Sequence, residues 1–391
     1  MRGLMMESQL LVSSLLSFAA RYHGEAEVVS RTVEGPVHRY TYADAHARAK
    51  KLANALRRLG MAPGDRIGTL AWNGHRHFEV YYAVSGSGAV CHTINPRLFP
   101  DQIAYIVNHA EDAYVFTDLT FVPLLEKIAD RLPGVRGFVV MTDDAHMPQT
   151  SLRGAVAYEP LIAGEPEAFE WPTFDENTAS SLCYTSGTTG RPKGVLYSHR
   201  STLLHTYAAN LPDVFGLSAL DVAMPVVPMF HVNAWGIPYC APMAGAKLVF
   251  PGPAMDGPSL CEMIEREGVT HSAGVPTVWL GLLQHLRATG KRLDTMKRLV
   301  IGGAALPISM AAAFREHGVP VAHGWGMTEM SPVGAVNAPK PGLERLSEEE
   351  RLALAAKQGR AFFGIEMKIT DDAGRELPRD GATAGRLKVR G

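Results

Sequence analysis

The stretch Tyr184-Thr-Ser-Gly-Thr-Thr-Gly-Arg-Pro-Lys-Gly194 is the most informative part of the sequence. It follows an apolar run, residues 181–185, of the kind that forms a buried strand. Its glycines allow backbone N–H groups to converge on an anion, its hydroxyl residues add hydrogen-bond donors, and Lys193 adds a mobile positive charge. This composition at the end of a strand predicts a loop that binds polyphosphate.

Other phosphate and catalytic motifs do not fit the sequence. The loop is not a Walker A motif, because it lacks the Gly-Lys-Ser/Thr ending and Pro192 precedes the lysine. This disfavours an ordinary ATP hydrolase or kinase. Gly-x-Ser-x-Gly and His-Glu-x-x-His are also absent, which disfavours a serine hydrolase or a zinc protease. The structural alternative is a surface turn, but such turns seldom collect so many donors.

Strand and helix patterns alternate along the chain and predict an α/β fold with largely parallel sheets. Capping boxes predict helices that start at Thr41 and Ser347, and Ser259 with Glu262 predicts another that ends at Gly268. Residues 10–20 favour an amphipathic helix over a signal peptide. Ligands in such folds bind beyond the carboxyl ends of strands. The predicted strands span residues 66–72, 89–94, 113–117, 137–141, 181–185, 299–302, 366–370 and 386–390.

The composition limits the classes of molecule that the protein is expected to bind. The 391 residues are 46% hydrophobic, and 38 basic residues nearly balance 39 acidic ones, for a net charge of -1. This balance argues against a nucleic-acid partner and against stable membrane insertion. The four cysteines are scattered without metal-ligand spacing, which predicts reduced thiols in a cytoplasmic protein.

Four segments together resemble the adenylate-forming superfamily, which includes acyl-CoA synthetases, peptide-synthetase adenylation domains and luciferases. Residues 184–194 resemble its phosphate loop, and Met229-Phe-His-Val-Asn-Ala-Trp-Gly236 resembles its acyl-pocket segment. Gly302-Gly-Ala-Ala-Leu-Pro307 is similar to its adenine-binding turn. His323-Gly-Trp-Gly-Met-Thr-Glu329 is similar to the segment with its phosphate-binding threonine and magnesium-associated glutamate. The residue pattern of the acyl-pocket segment is most like that of medium- and long-chain fatty acyl-CoA synthetases and of 3-methylmercaptopropionyl-CoA ligases.

The resemblance implies that residues 1–391 are the large N-terminal AMP-binding domain, with layered βαβ subdomains and a smaller distorted β-barrel. We expect its last strands, from about residue 360, to be cut at a domain junction and the small C-terminal domain to be absent, so that turnover is poor. The resemblance leaves a homodimer through the N-terminal domain open.

The implied reaction is ATP-dependent activation of a carboxylic acid, a medium- to long-chain fatty acid first, to acyl-AMP. Thioester formation with CoA follows, so ATP, Mg²⁺ and CoA are the expected cofactors. The alternatives are a 3-methylmercaptopropionate–CoA ligase, a peptide-synthetase adenylation domain, and a non-catalytic ATP- and acyl-binding module.

The resemblance also assigns individual residues. Catalytic roles are implied for Thr185, Lys193, His231, Thr328 and Glu329, and a magnesium site for Glu329 and Thr185. The implied acyl-substrate contacts are His231, Val232, Asn233, Trp235, which gates an acyl tunnel, and Gly236. The implied nucleotide contacts are Thr185, Ser186, Gly187, Thr188, Thr189, Gly190, Lys193, Gly302, Gly303, Ala304, His323, Gly324, Trp325, Gly326, Met327 and Thr328.

Overall fold

The computed structural model describes residues 1, 3–185 and 190–391. Its strands are β1 (Glu27–Arg31), β2 (Val37–Thr41), β3 (Arg66–Leu70), β4 (Val90–Thr93), β5 (Asp112–Thr117), β6 (Gly137–Val140), β7 (Val156–Ala157), β8 (Ala179–Thr185), β9 (Lys193–Ser198), β10 (Val222–Pro225), β11 (Lys247–Phe250), β12 (His271–Gly274), β13 (Arg298–Ile301), β14 (Val321–Gly326), β15 (Val333–Val336), β16 (Arg360–Ala361), β17 (Glu366–Thr370) and β18 (Arg386–Arg390).

Helices connect most of these strands, as a parallel sheet requires. They are α1 (Ser13–Tyr22), α2 (Tyr42–Arg58), α3 (His75–Gly86), α4 (Pro100–Ala110), α5 (Val122–Glu126), α6 (Tyr158–Ala163), α7 (His199–Ala209), α8 (Ile237–Ala244), α9 (Gly257–Glu267), α10 (Pro276–Thr289), α11 (Ile308–Glu316) and α12 (Glu348–Ala355). Short 3-10 helices span Leu119–Phe121, Ala129–Arg131, Val232–Gly236, Thr328–Met330 and Leu343–Arg345.

The strands of the described residues form three sheets, and the predicted α/β fold is confirmed. A seven-stranded sheet has the order β7-β6-β5-β3-β4-β8-β9, and a nine-stranded sheet has the order β16-β15-β14-β13-β12-β10-β11-β1-β2. Pairs in the middle of each sheet, such as β3–β4 and β12–β13, are parallel, whereas β8–β9 and β14–β15, at or next to an edge, are antiparallel.

The expected small β-barrel is not found in the described part of the chain. Strands β17 and β18, predicted at their observed bounds, form a separate two-stranded antiparallel sheet. A closed barrel needs every strand paired on both sides, and two strands cannot close.

Local signals predicted most helix ends correctly. In the capping box of α2, the Asp44 N–H donates to Thr41 Oγ1 and the Thr41 N–H donates to the Asp44 carboxylate. The predicted start of α9 at Ser259 was wrong. The helix begins at Gly257 because the carboxylate of Asp256 accepts the Ser259 N–H at 3.0 Å, which makes Asp256 the N-cap.

The amphipathic N-terminal helix and the unpaired core cysteines expected from the sequence are confirmed. The amphipathic α1 buries Leu15, Leu16 and Ala19. All four cysteines are buried free thiols. Among the described residues, no helix combines the length and the apolar character needed to cross a bilayer.

Helix α3 holds the two large sheets together. Phe78 packs against Phe250 of β11, in the nine-stranded sheet, with 5.7 Å between ring centroids and the rings tilted by 50°. On the other side, the hydroxyl of Ser85 donates to the carbonyl of Ser180 in β8, in the seven-stranded sheet. The hydroxyl of Tyr82 also donates to the carbonyl of Pro238 at the start of α8. The two sheets therefore share one core.

Asn73 lies in the segment after β3 and holds the segment after β10 against it. Its side-chain amide donates to the carbonyls of Pro225 (2.8 Å) and Val227 (2.9 Å), and its carbonyl oxygen accepts the Met229 N–H at 2.6 Å. The side chain is fully buried, so each of these groups would be costly to leave unpaired. Asn73 therefore sets the path of the segment that begins at Met229.

Asp118 makes a second link at the ends of strands. Its carboxylate accepts the Trp72 N–H at 2.6 Å, while its own N–H donates to the Leu70 carbonyl. Burial raises the pKa of Asp118 to about 7, against the opposing effects of the Trp72 N–H and the charge of Arg76. The folded protein thus favours the protonated acid.

This raised pKa predicts a specific pH dependence of stability. The pKa of an aspartate in an unfolded chain is about 3.9. The stability that protonated Asp118 contributes is therefore complete below that pH and is lost as pH rises through about 7. Asp118→Asn stays neutral and keeps an acceptor for Trp72. Between pH 4 and pH 8 the wild-type free energy of unfolding should fall relative to this variant by about 2–4 kcal/mol. Urea titrations at both pH values measure the difference, and parallel pH profiles would contradict it.

Candidate active site

The carboxyl ends of β10, β12, β13 and β14 lie side by side in the nine-stranded sheet. The segments around these strand ends enclose a cavity of about 190 Å³. This is where parallel α/β sheets place ligands. The lining residues are Val214, Phe215, His231, Val232, Trp235, Val300, Gly303, Gly324, Trp325, Gly326, Met327, Thr328, Pro332 and Val333.

Three of the four predicted segments therefore meet in one place. The lining includes residues assigned to the acyl substrate and residues assigned to the nucleotide. The sequence reasoning missed the apolar Val214, Phe215, Val300, Pro332 and Val333, which belong to no motif. Only their position in the folded chain identifies them.

Close backbone contacts dictate the glycines of the site. A Cβ on Gly302 would lie 2.6 Å from the carbonyl oxygen of Gly324, so the turn after β13 touches β14 directly. A Cβ on Gly326 would lie 1.9 Å from the carbonyl oxygen of Pro332. Both obstacles are backbone atoms that no rotamer change can move, and the two loops can approach this closely only without side chains.

Gly326→Ala tests this close approach. The added methyl must push β14 away from the chain at Pro332, and we expect a loss of about 3 kcal/mol in the free energy of unfolding. We also expect weaker binding of adenosine ligands to the displaced strand. Chemical denaturation and calorimetry measure the two effects. Gly134→Ala, where nothing lies within 4 Å of the new Cβ, is the matched control and should change neither. Equal behaviour of the two variants would contradict the argument.

The acyl-pocket segment contains a left-handed turn. Val232, Asn233, Ala234 and Trp235 have φ between 43° and 54°, in a region that costs a non-glycine residue about 1–2 kcal/mol. Buried hydrogen bonds of Asn233 hold the turn: its amide donates to Ser181 Oγ at 2.9 Å. Asn233 thus lies in a buried network and is not among the residues that line the cavity.

The turn places Trp235 against the glycine turn after β13. A Cβ on Gly302 would lie 3.1 Å from the indole of Trp235, and one on Gly303 would lie 3.8 Å from it. The predicted acyl residue thus packs directly on the predicted adenine turn. Gly236, the next residue, lies under the buried imidazole of His205, which accepts the Val333 N–H at 3.3 Å.

Tyr197 joins the phosphate-loop hairpin to the segment after β14. Its hydroxyl donates to the carbonyl of Thr328 at 2.5 Å. Burial raises the pKa of Tyr197, and the nearby Cys183 and Glu329 raise it further, so the phenol stays a neutral donor. Strand β9 of the hairpin therefore lies beside Thr328 and Glu329.

The hairpin loop itself is only partly described. Thr185 pairs with Lys193 across the end of the hairpin, and the guanidinium of Arg191 lies over the ring of Tyr105 at 5.3 Å. The predicted nucleotide contacts Ser186, Gly187, Thr188 and Thr189 lie outside the described residues.

Comparison with known proteins agrees with this arrangement. The model of a family described as "AMP-binding enzyme" matches residues 16–391. The chain belongs to this family.

Its relatives include several CoA ligases. A 3-methylmercaptopropionyl-CoA ligase of Ruegeria lacuscaerulensis is 55% identical, over 100% of this chain and 73% of that protein. A medium-chain-fatty-acid–CoA ligase of Ectopseudomonas oleovorans is 53% identical, over 100% and 72%. A long-chain-fatty-acid–CoA ligase of Thermus thermophilus is 49% identical, over 99% and 70%. The predicted AMP-forming acyl-CoA synthetase is thereby confirmed, and ATP and CoA are the substrates such ligases share.

A solved structure of a long-chain-fatty-acid–CoA ligase from Archaeoglobus fulgidus has the same fold. Its TM-score is 0.84 at 22% identity, over 99% of this chain and 76% of that one. This chain therefore shares its mixed α/β fold with that ligase.

Within this AMP-binding chain, His231 lies at an electropositive edge of the cavity. The residue is exposed, yet the surrounding protein lowers the pKa of its imidazole, and the charge of Arg97 adds to the effect. The guanidinium of Arg97 lies over the ring of Phe230, 5.9 Å from its centroid. Arg97 follows β4, in the other sheet, and the sequence reasoning did not single it out. Because the imidazole is held neutral, it can give or accept a hydrogen bond without competing for a proton.

The effect of Arg97 on His231 can be measured directly. Arg97→Met removes a positive charge that disfavours the imidazolium, so the pKa of His231 should rise. Arg97→Lys retains the charge and should leave the imidazole titration close to wild type. NMR titration of the His231 ring protons gives the result, and identical curves for all three proteins would show that Arg97 is electrostatically irrelevant.

Several predicted contacts lie away from the cavity. The imidazole of His323 is buried and its Nδ1 hydrogen-bonds the carbonyl of Ala356 at 2.8 Å, beyond the end of α12. Ala304 is exposed on the turn after β13, and Gly302 is covered by Trp235. These residues shape the loops around the cavity without lining it.

Glu329 is exposed beside the cavity. In the described parts of the chain, no group of three or more His, Cys, Asp and Glu side chains is arranged to hold a metal. Mg²⁺ typically binds one or two carboxylates together with substrate phosphates. A single exposed carboxylate next to the phosphate-loop hairpin fits that donor set.

Proposed function

We propose that this chain activates a medium- to long-chain fatty acid with ATP and transfers the acyl group to CoA. The observation that carries the proposal is the mixed lining of one cavity. The apolar Val214, Phe215 and Val300 line it together with the glycine-rich strand β14 and Thr328, next to the phosphate-loop hairpin. An apolar pocket with a few convergent polar groups suits an acid with a hydrocarbon tail.

In this proposal the hairpin loop holds the phosphates of ATP. The backbone N–H groups and hydroxyls from Thr185 to Gly190 donate to phosphate oxygens, and Lys193 adds positive charge. Thr328 donates to the α-phosphate. Preorganised donors of this kind lower the cost of bringing a carboxylate to an anionic phosphorus.

The adenine of ATP lies between Trp325 and Gly303 in this proposal. Both residues line the same cavity, and the absence of a side chain on Gly303 leaves room for close approach. An indole offers a flat apolar face for stacking. His323, Ala304 and Gly302 support the loops around the ring.

Glu329 and Thr185 would hold Mg²⁺, which neutralises phosphate charge when it is bound. The neutral imidazole of His231 donates to the substrate carboxylate, while the charge of Arg97 attracts it. The carboxylate oxygen bonds to the α-phosphorus and pyrophosphate leaves. The CoA thiol then attacks the acyl carbon, and AMP leaves. Trp235, packed on the glycine turn, gates the acyl part of the cavity.

Three further expectations belong to the same proposal. Residues 1–391 form the large AMP-binding domain, the protein works in the cytoplasm, and copies pair as homodimers.

A small thioether acid is the second candidate substrate. The cavity of about 190 Å³ lies below the ~300–1,000 Å³ usual for small-molecule sites. A ligase for 3-methylmercaptopropionate is among the relatives, at 55% identity. A panel of carboxylic acids from three to sixteen carbons distinguishes the two candidates.

The chemistry is tested by incubating the protein with ATP, Mg²⁺ and each acid. Mass spectrometry should find the acyl-AMP, and the nucleotide product should be AMP. Lys193→Met should lower acyl-AMP formation about 10²-fold, the usual cost of losing one charge-stabilising group. The exposed Lys127→Met, distant in sequence from every motif, is the control and should match wild type. ADP as the product, or no acyl-AMP with any acid, would refute the proposal.

A further inference from the structure

Helix α4 contacts the phosphate-loop hairpin at two points, one before the loop and one just ahead of β9. Before the loop, the Tyr184 hydroxyl lies 2.6 Å from Nδ1 of His109, which is a hydrogen-bonding distance. Ahead of β9, the guanidinium of Arg191 lies 5.3 Å from the centre of the Tyr105 ring, close enough for the ring to attract the cation. No ion pair in the described part of the chain includes Arg191, so the Tyr105 ring is the contact that locates its charge.

The two contact residues of α4 lie on one face of the helix. Tyr105 and His109 are four positions apart, so their side chains are neighbours on the helix surface. Their rings stack with 5.3 Å between centroids and an angle of 28° between planes. The ring of Tyr184 meets that of His109 edge to face, at 83°. Both contacts with the hairpin therefore belong to one group of side chains, which we call the α4 cluster: Tyr105, His109, Tyr184 and Arg191.

Helix α4 is itself fixed to the seven-stranded sheet. The face opposite the α4 cluster buries Ile103, Ile106 and Val107 in a core that also contains residues of β3, β5 and β6. At the end of the helix, the guanidinium of Arg66 in β3 donates to the carbonyl of Ala110. The hairpin thus leans on an element that is packed from below and hydrogen-bonded at its last turn.

We propose that Tyr105 and His109 are positioning residues for the triphosphate of ATP. They hold Tyr184 and Arg191, on the two sides of the loop, against α4. This inference rests on the proposed function, in which the loop binds the phosphates. A loop that becomes ordered on binding loses conformational entropy, and contacts that hold its ends beforehand reduce that cost. Neither Tyr105 nor His109 belongs to a motif of the sequence, and neither acts by touching the nucleotide.

Two ligands separate loop positioning from general damage to the fold. ATP with Mg²⁺ carries the β- and γ-phosphates, whereas a stable octanoyl-sulfamoyl adenosine carries adenosine and acyl groups without them. Calorimetry gives both dissociation constants, and their ratio is the readout. Tyr105→Leu removes the aromatic face and His109→Leu removes the hydrogen bond, so each should weaken ATP binding about fivefold. Binding of the acyl adenosine should stay at the wild-type level, which also shows that each variant is folded.

Conservative variants and a matched control accompany these changes. Tyr105→Phe keeps a ring under Arg191, and His109→Asn keeps a hydrogen-bonding atom near the place of Nδ1, so both should bind ATP like the wild type. Tyr22→Leu is the control. The guanidinium of Arg21 lies over the Tyr22 ring at the same 5.3 Å, but on α1 rather than beside the hairpin. This variant should change neither dissociation constant.

A double variant tests whether Tyr105 acts through Arg191. In an Arg191→Met background, Tyr105→Leu should cause no further loss of ATP binding, because the cation that the ring holds is gone. Fully additive losses would overturn this link.

The remaining results also decide the inference. Equal weakening of both ligands in the leucine variants would give α4 a purely structural role, and unchanged ATP binding would show that the loop does not depend on these contacts. Either result overturns the positioning role. If ATP does not bind the wild-type protein, the proposed function itself fails.

Discussion

The contact between the Tyr197 hydroxyl and the Thr328 carbonyl brings the chemistry of two sheets together. The phosphate-loop hairpin belongs to the seven-stranded sheet, whereas the glycine turn and the Thr-Glu segment follow strands of the nine-stranded sheet. A nucleotide can contact both sheets only if their relative position is fixed. Helix α3 fixes that position through the core. Asn73 fixes it at the strand ends with three buried hydrogen bonds.

Local strain is the consequence of this construction. The left-handed turn at residues 232–235 is unfavourable by itself, and it persists because Asn233 is bonded to Ser181 from the neighbouring sheet. The strain has a use, since the turn directs Trp235 onto Gly302 and exposes His231 at the edge of the cavity. An electrostatic interaction also links segments from the two sheets. The charge of Arg97, in the segment after β4, helps to lower the pKa of His231, in the segment after β10.

Motif reasoning was accurate at several places where the physical requirement was local. The capping box of α2 depends on residues three apart, and both of its bonds form as predicted. It was less accurate where a side chain could turn toward either of two neighbours. His323 belongs to a nucleotide motif, but its imidazole faces the end of α12. Asn233 belongs to an acyl motif, but its side chain stabilises the left-handed turn through a hydrogen bond to Ser181. The start of α9 was misplaced because Ser259 and Asp256 both favour a cap at the same spacing, and in the folded chain the Asp256 carboxylate accepts the Ser259 N–H.

The amino-acid sequence alone determined the α/β class, the family resemblance and the segments that surround the cavity, because periodicity, turn residues and glycine spacing are properties of short stretches of chain. Only the tertiary structure decided that Val214, Phe215, Val300, Pro332 and Val333 complete the cavity and that the charge of Arg97 adds to the lowering of the His231 pKa. These residues are distant in sequence and carry no distinctive spacing. The packing of the two sheets brings them together, and a pattern over a short stretch of sequence does not encode that packing.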